Sequence, residues 1–173
     1  MNVCIKRANP EDALAISRIY AASWKVAYRG IVPQEYLDEL KEDFWKAKFQ
    51  NWIQNREMEA ELLYLDHTPA GCVAYGKARE EQFQGWGEIV SIYVHPDFYR
   101  QGHGVKLLNS ALKNLKTAGY EKCYLWAFAD NWNARNFYEA HGFIVTADTF
   151  QSAFMGKQLT DIRYRFDLTS LAE

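Results

Sequence analysis

Six consecutive residues, Arg100-Gln101-Gly102-His103-Gly104-Val105, place two glycines where a strand gives way to a helix. Glycine has no side chain, so backbone N–H groups at such a junction can lie directly against a ligand. The first N–H groups of a helix have no carbonyl within the helix to donate to, and the helix dipole is positive at that end. The chemistry expected of this junction is anion binding, most simply of a phosphate or pyrophosphate. Gly-x-Gly also occurs at ordinary tight turns, so the pair of glycines is a weak sign by itself. No Gly-x-x-x-x-Gly-Lys-Ser/Thr occurs, which removes the phosphate loop of ATPases, and neither a third glycine nor a suitably spaced acid completes a dinucleotide fingerprint.

The elements around this junction follow from periodicity. Ile89 to Val94 is rich in β-branched and aromatic residues and stops at Pro96, which predicts a strand. Strand alternation places Glu88, Val90, Ile92 and Val94 on one face and Ile89, Ser91 and Tyr93 on the other. After the glycines, Leu108, Ala111, Leu112, Leu115 and Ala118 recur at helical spacing up to a capping Gly119, and Glu121 to Ala127 reads as a parallel strand reached by that crossover. Val3 to Arg7 alternates as a short first strand. Asn9-Pro10-Glu11-Asp12 then starts a helix that runs to about Trp24.

The stretch Trp24 to Pro33 is read as a loop broken by Gly30 and Pro33, and its Trp24, Tyr28 and Arg29 form a candidate acceptor-binding wall. A short helix over Pro33 to Leu40 and a longer one over Asp43 to about Asn55 come next. Leu62 to Asp66 and Ala70 to Gly76 form a hairpin. Near the end, Asp130 to Gly142 is a short capped helix, and Phe143 to Phe150 and Leu159 to Leu168 are the last strands. In the final strand Ile162, Tyr164, Phe166 and Leu168 face one way while Arg163, Arg165 and Asp167 face the other.

Two stretches resemble motifs of the GNAT N-acetyltransferases. Tyr99-Arg100-Gln101-Gly102-His103-Gly104 is similar to the acetyl-CoA-binding pattern Gln/Arg-x-x-Gly-x-Gly/Ala, with Tyr99 replacing the usual Gln or Arg and His103 where an aliphatic residue is common. Asn131 to Phe143 is similar to a second pattern, Asn-x-x-Ala-x-x-x-Tyr-x-x-x-Gly-Phe, matched by Asn131, Ala134, Tyr138, Gly142 and Phe143. The resemblance covers nearly the whole chain. It implies an α/β (α+β) fold in one domain, 1–173, with a mixed, mostly antiparallel sheet of six to seven strands, splayed at the cofactor site and flanked by about four helices.

The implied chemistry is attack of a neutral primary amine on the thioester of acetyl-CoA. By that resemblance the backbones of Ile92 and Val94 hold the pantetheine arm, with Asn131 bonding to it. Gln101, Gly102, His103, Gly104 and Val105 take the pyrophosphate, with Arg100 or Lys106 adding charge. Glu88 is the expected base, the Val94 N–H the expected donor to the oxyanion, and Tyr138 the expected proton donor to the leaving thiolate. A base is useful because deprotonating an alkyl ammonium near pKa 10.4 at neutral pH costs about 4 to 5 kcal/mol.

Composition bounds the rest. The 173 residues include six Trp, eleven Tyr and ten Phe, which suits aromatic-lined surfaces. A net charge of −2 argues against broad nucleic-acid or membrane-surface binding. Cys4, Cys72 and Cys123 lack zinc-site spacing and suit a reducing cytoplasm, and His67, His95, His103 and His141 form no His-Glu-x-x-His, so no metal is expected. Neither a signal peptide nor a membrane span is expected. Glu80, Glu81 and Glu88 near Trp24, Tyr28 and Trp86 suggest a cationic acceptor such as a polyamine, an aminoglycoside or a peptide amino group. The competing readings are a catalytically inactive acyl-CoA-binding module and transfer of a longer acyl chain or to a hydroxyl. A homodimer is compatible with the family.

Overall fold

The computed structural model describes residues 2–172. Strand β1 (Val3–Arg7) leads through a 3-10 turn into helix α1 (Ala13–Ala27), followed by α2 (Gln34–Glu39) and α3 (Lys46–Gln54). Next come β2 (Glu59–Leu65), β3 (Thr68–Lys77) and β4 (Gly87–Val94), then α4 (His103–Thr117), β5 (Lys122–Phe128), α5 (Trp132–Ala140), β6 (Ile144–Phe154) and β7 (Lys157–Asp167). The seven strands form one sheet in the order β1-β2-β3-β4-β5-β7-β6, with β4 and β5 its parallel neighbours. The expected mixed, mostly antiparallel sheet is present, with five helices rather than about four among the described residues.

The sheet has a helix layer on each face. On one face the repeat in α4 buries Leu107, Leu108, Ala111, Leu112 and Leu115 against Ile89, Leu125 and Tyr164, each leucine contributing about 1.5–3 kcal/mol. On the other, Ile16 and Ile19 of α1 and Phe49 of α3 cover Leu62, Cys72 and Ala74. No described helix is long and apolar enough to cross a membrane.

Three expectations change. Helix α1 continues past Trp24 to Ala27, so Trp24 lies inside a helix and Tyr28 caps it, its N–H donating to the Trp24 carbonyl at 3.1 Å. Nothing between Trp24 and Gly30 breaks a helix, which is why the helix runs on. Strands β6 and β7 meet in a long hairpin whose turn, Met155-Gly156, has φ of 47° and 80°. Both residues are left-handed, as a two-residue hairpin turn requires, although Met-Gly carries no turn signature.

The third change is in β4. Its register against β3 slips between Ala74 and Tyr75, leaving Val90 as the extra residue of a bulge. A one-residue slip reverses the faces beyond it. Ile89, Ile92 and Val94 therefore pack on the α4 side, while Val90 and Tyr93 pack on the α1 side. Glu88 belongs with Arg79 and Tyr124, not on the face of Ile92 and Val94 as simple alternation predicts.

Candidate active site

Strands β4 and β5 pair only at Gly87–Cys123 and Glu88–Tyr124. Beyond Tyr124, β5 stays with β7 as far as Phe128, so Ile89 to Val94 leave it and a fork opens between the two strands. Tyr93 O lies against Gly71 of β3. The N–H and C=O of one residue in an antiparallel strand point the same way, so those of Ile92 and Val94 point away from β3, into the fork. The Val94 carbonyl there accepts a hydrogen bond from Ser23 Oγ at 2.8 Å. Its N–H donates to no backbone carbonyl outside the sheet among the described residues.

The fork's open end runs into the glycine turn. Gly102 is the N-cap of α4 with φ 77° and ψ 8°, and Arg100 has φ 60°. These left-handed residues turn the chain sharply enough that the N–H groups of Gln101, Gly102, His103, Gly104 and Val105 find no backbone acceptor among the described residues. Gly104 differs from Gly102: its φ is not positive, and a Cβ there would meet only the Phe137 ring at 3.6 Å, an ordinary contact. Neither backbone nor packing demands a small residue at 104, whereas a closely approaching diphosphate would, which fits the glycine or alanine of the motif. His103 is buried with both ring nitrogens unpartnered, and burial lowers its pKa, with Lys106 adding to the effect. Arg100 and Lys106 are exposed beside the turn.

Tyr138 comes from α5, which Asn131 caps by accepting the Ala134 N–H at 3.2 Å. That cap occupies Asn131 Oδ1 and leaves its amide NH2 as the group free for a ligand. The Tyr138 ring is packed by Phe137, Phe143 and Tyr164, and its hydroxyl bonds to no described residue. Burial, and then the nearby Tyr28 phenol, push its pKa up, so the phenol holds its proton.

On the α1 side, Tyr28 OH and Tyr93 OH are 2.7 Å apart, and the Tyr28 ring meets Phe128 edge-on at 5.1 Å. Burial pushes the Tyr28 phenol up to about 12, partly offset by its bond to Tyr93 and increased by the charge of Asp161. Trp24 packs on Tyr28 at 4.7 Å and helps line a cavity of about 170 Å³ with Tyr20, Trp45, Trp52, Ser91 and Tyr93. A wider hollow of about 320 Å³ at Phe83, Trp86 and Arg165 lies at the closed end of the fork, where Trp86 precedes β4.

Glu88 is buried at that closed end. Its Oε2 accepts from the Arg79 N–H (3.1 Å), Arg79 Nε (3.0 Å) and Tyr124 OH (3.2 Å), and its Oε1 accepts from Arg79 Nη2 at 2.6 Å. Three donors crowd Oε2 and the shortest bond holds Oε1, so the carboxylate is committed to Arg79 and Tyr124. Glu80 is likewise paired with Arg163, so two of the three acids expected to attract a cationic acceptor are already neutralised. Glu88→Gln should lower the melting temperature by about 3–8 °C, since it removes charge-assisted bonds to a guanidinium still half in water. A thermal melt at pH 7.5 reads this directly, and an unchanged midpoint would mean that the pair carries no stability.

Sequence reasoning missed Asp161, on β7 opposite Phe128 and Phe150. No motif marks it. The one signal available was that it shares the non-core face with Arg163 and Arg165. Among the described residues, no group of three His, Cys, Asp or Glu could hold a metal.

Comparison with known proteins agrees with this geometry. The model of the acetyltransferase (GNAT) family matches residues 17–143. An uncharacterised N-acetyltransferase, YuaI, of Bacillus subtilis is 28% identical over 133 residues, 75% of this chain and 73% of its own. A spermidine N(1)-acetyltransferase of Thermoplasma acidophilum is 28% identical over 156 residues, 90% and 96%. Among solved structures, the PaiA N-acetyltransferase of Thermoplasma acidophilum in complex with coenzyme A superposes with a TM-score of 0.81 at 23% identity, covering 96% of this chain and 99% of that one. With a family model spanning the strand, the glycine turn and the Tyr138 helix alike, the chain belongs to the GNAT acetyltransferase family.

Proposed function

We propose that the chain transfers the acetyl group of acetyl-CoA to a primary amine of a small molecule or peptide, as one domain and by direct attack. The observation that carries this reading is the fork between β4 and β5, ending on a turn of bare N–H groups at Gly102 and Gly104. When bound, acetyl-CoA supplies an activated acetyl thioester. The N–H groups from Gln101 to Val105 hold its diphosphate with Arg100 beside them, and the backbones of Ile92 and Val94 extend the sheet onto the pantetheine arm. The Asn131 amide adds a donor to that arm.

The Val94 N–H stabilises charge developing on the carbonyl oxygen, and the Ser23 bond to the Val94 carbonyl keeps that peptide fixed. Tyr138 gives its proton to the departing thiolate. The acceptor enters from the α1 side, past Trp24, Tyr28 and Tyr93. Glu88, committed to Arg79 and Tyr124, holds the closed end of the fork rather than taking a proton from the amine.

The test is free-thiol release from acetyl-CoA over a panel containing spermidine, an aminoglycoside and a peptide with a free amino terminus, with coenzyme A binding followed by calorimetry. Amine-dependent release of thiol above the rate in water is expected for at least one class. Binding heat without amine-dependent release would point to an acyl-CoA-binding module, and absence of both would remove the reading altogether.

A further inference from the structure

Three acids on the α1 side of the sheet have arginine partners: Glu80 and Asp148 with Arg163, and Glu88 with Arg79. Asp161, on the same side, has none; no described residue hydrogen-bonds to it or pairs with it. It is partly withdrawn from water between the register partners Phe128 and Phe150. An ionisable group that is desolvated and unpartnered needs a reason, and beside a ligand cleft that reason is commonly functional.

Its position supplies one. Phe128 is the last residue of β5 and so forms the open tip of the fork on that side. Tyr28 bridges the tip, meeting Phe128 edge-on and sharing a hydroxyl contact with Tyr93 of β4, and the charge of Asp161 reaches the Tyr28 phenol. Tyr138 lies near enough that the Tyr28 phenol adds to the burial that raises its pKa. Asp161, Tyr28, Tyr93 and Tyr138 thus surround the mouth of the fork from two strands of the sheet, the end of α1 and α5.

We propose that Asp161 receives the acceptor as an ammonium ion and takes its proton. This rests on the amine-acetylation reading above and deepens it, assigning the acceptor's charge and the missing base. The faces of Tyr28 and Phe128 favour a cation at the same place. Asp161 removes one proton from the ammonium, directly or through a water, and releases it to solvent. The neutral nitrogen then bonds to the carbonyl carbon as the C–S bond breaks. The second nitrogen proton balances the one that Tyr138 delivers to the thiolate, leaving amide and free thiol.

Burial pushes the Asp161 carboxyl up to about 6, which makes it a base available at neutral pH and still able to hold a proton. The charged and titratable groups around it are the Tyr28 phenol from α1, Tyr93 from β4, and Arg163 two residues along β7, the last engaged by Glu80 and Asp148.

The experiment uses the best amine from the panel. Asp161→Asn is expected to lower kcat/KM by about 10²-fold and to lack the acidic limb expected near pH 6 in the wild type, while Asp161→Glu restores part of both. Coenzyme A affinity should stay unchanged.

A second readout needs no turnover. A carboxyl whose folded pKa is raised makes the folded state lose stability as pH rises from the unfolded value through the folded one. Asp161→Asn should therefore raise the melting temperature at pH 8, with the gain gone at pH 3.5. A lower melting temperature at pH 8 would expose a structural partner and overturn the proposal. Wild-type turnover with an unaffected Asp161→Asn variant would overturn it while leaving amine acetylation intact. No turnover with any amine would overturn amine acetylation and this role together.

Discussion

Replacing Tyr138 with phenylalanine is expected to cut kcat at least tenfold, and on the order of 10²-fold if the phenol is the general acid. The fold should not notice. The ring is held by Phe137, Phe143 and Tyr164, and the hydroxyl that is lost bonds to no described residue. Melting temperature and coenzyme A affinity should remain at wild-type values. The loss should shrink when acetyl-CoA is replaced by an acetyl thioester of a more acidic thiol, because such a thiolate leaves without help. A rate deficit equal for both thioesters would assign Tyr138 to packing, and undiminished turnover would take it out of the mechanism. The raised Tyr138 pKa also predicts that the phenol supplies no alkaline limb to the rate profile below the ordinary phenol range near 10.

The second large effect is expected at Gly104. Gly104→Val should weaken coenzyme A binding by about 10²- to 10⁴-fold, the loss of two charge-assisted hydrogen bonds at about 1.5–3 kcal/mol each. Calorimetry measures it without any acceptor. Gly104→Ala should leave folding intact or slightly improved, because its added Cβ meets only the Phe137 ring at 3.6 Å and alanine is the better helix former. Gly102→Ala, at φ 77°, should behave in the opposite way and cost stability. Equal affinities for the Gly104→Val variant and the wild type would show that the diphosphate does not sit on this turn.

Much of this arrangement was written in local pattern. The apolar repeat from Leu107 to Leu115 fixes the crossover helix because its burial depends on spacing alone, and the parallel neighbour at Lys122–Phe128 follows from it. The alternation of Ile162, Tyr164 and Phe166 likewise places Arg163 on the opposite face, where it lies among Phe83, Tyr124 and Trp126. What was not legible depended on contacts between distant segments. The bulge at Val90 lies where β4 pairs with Ala74 and Tyr75 of β3, and it alone moves Glu88 off the expected face. Asp161 stands out only by lacking a partner, a property of the assembled sheet that no spacing reveals. Trp24 and Tyr28, expected on a loop as an acceptor-binding wall, lie on a helix end instead, so they arrive on a stiff support.

That support has a consequence for how members of such a lineage could diversify. Ser23 and Tyr28, five residues apart on one helix end, grip two adjacent positions of β4: the Val94 carbonyl and the Tyr93 hydroxyl. On the proposed reading, the helix that borders the incoming amine is thus bolted to the peptide that faces the reacting carbonyl. A change after Ala27 that tilts this helix to admit a bulkier guest would drag the peptide with it. Diet and catalytic tuning are mechanically geared in this chain, so an altered substrate range should evolve with compensating changes at Ser23 or Tyr93.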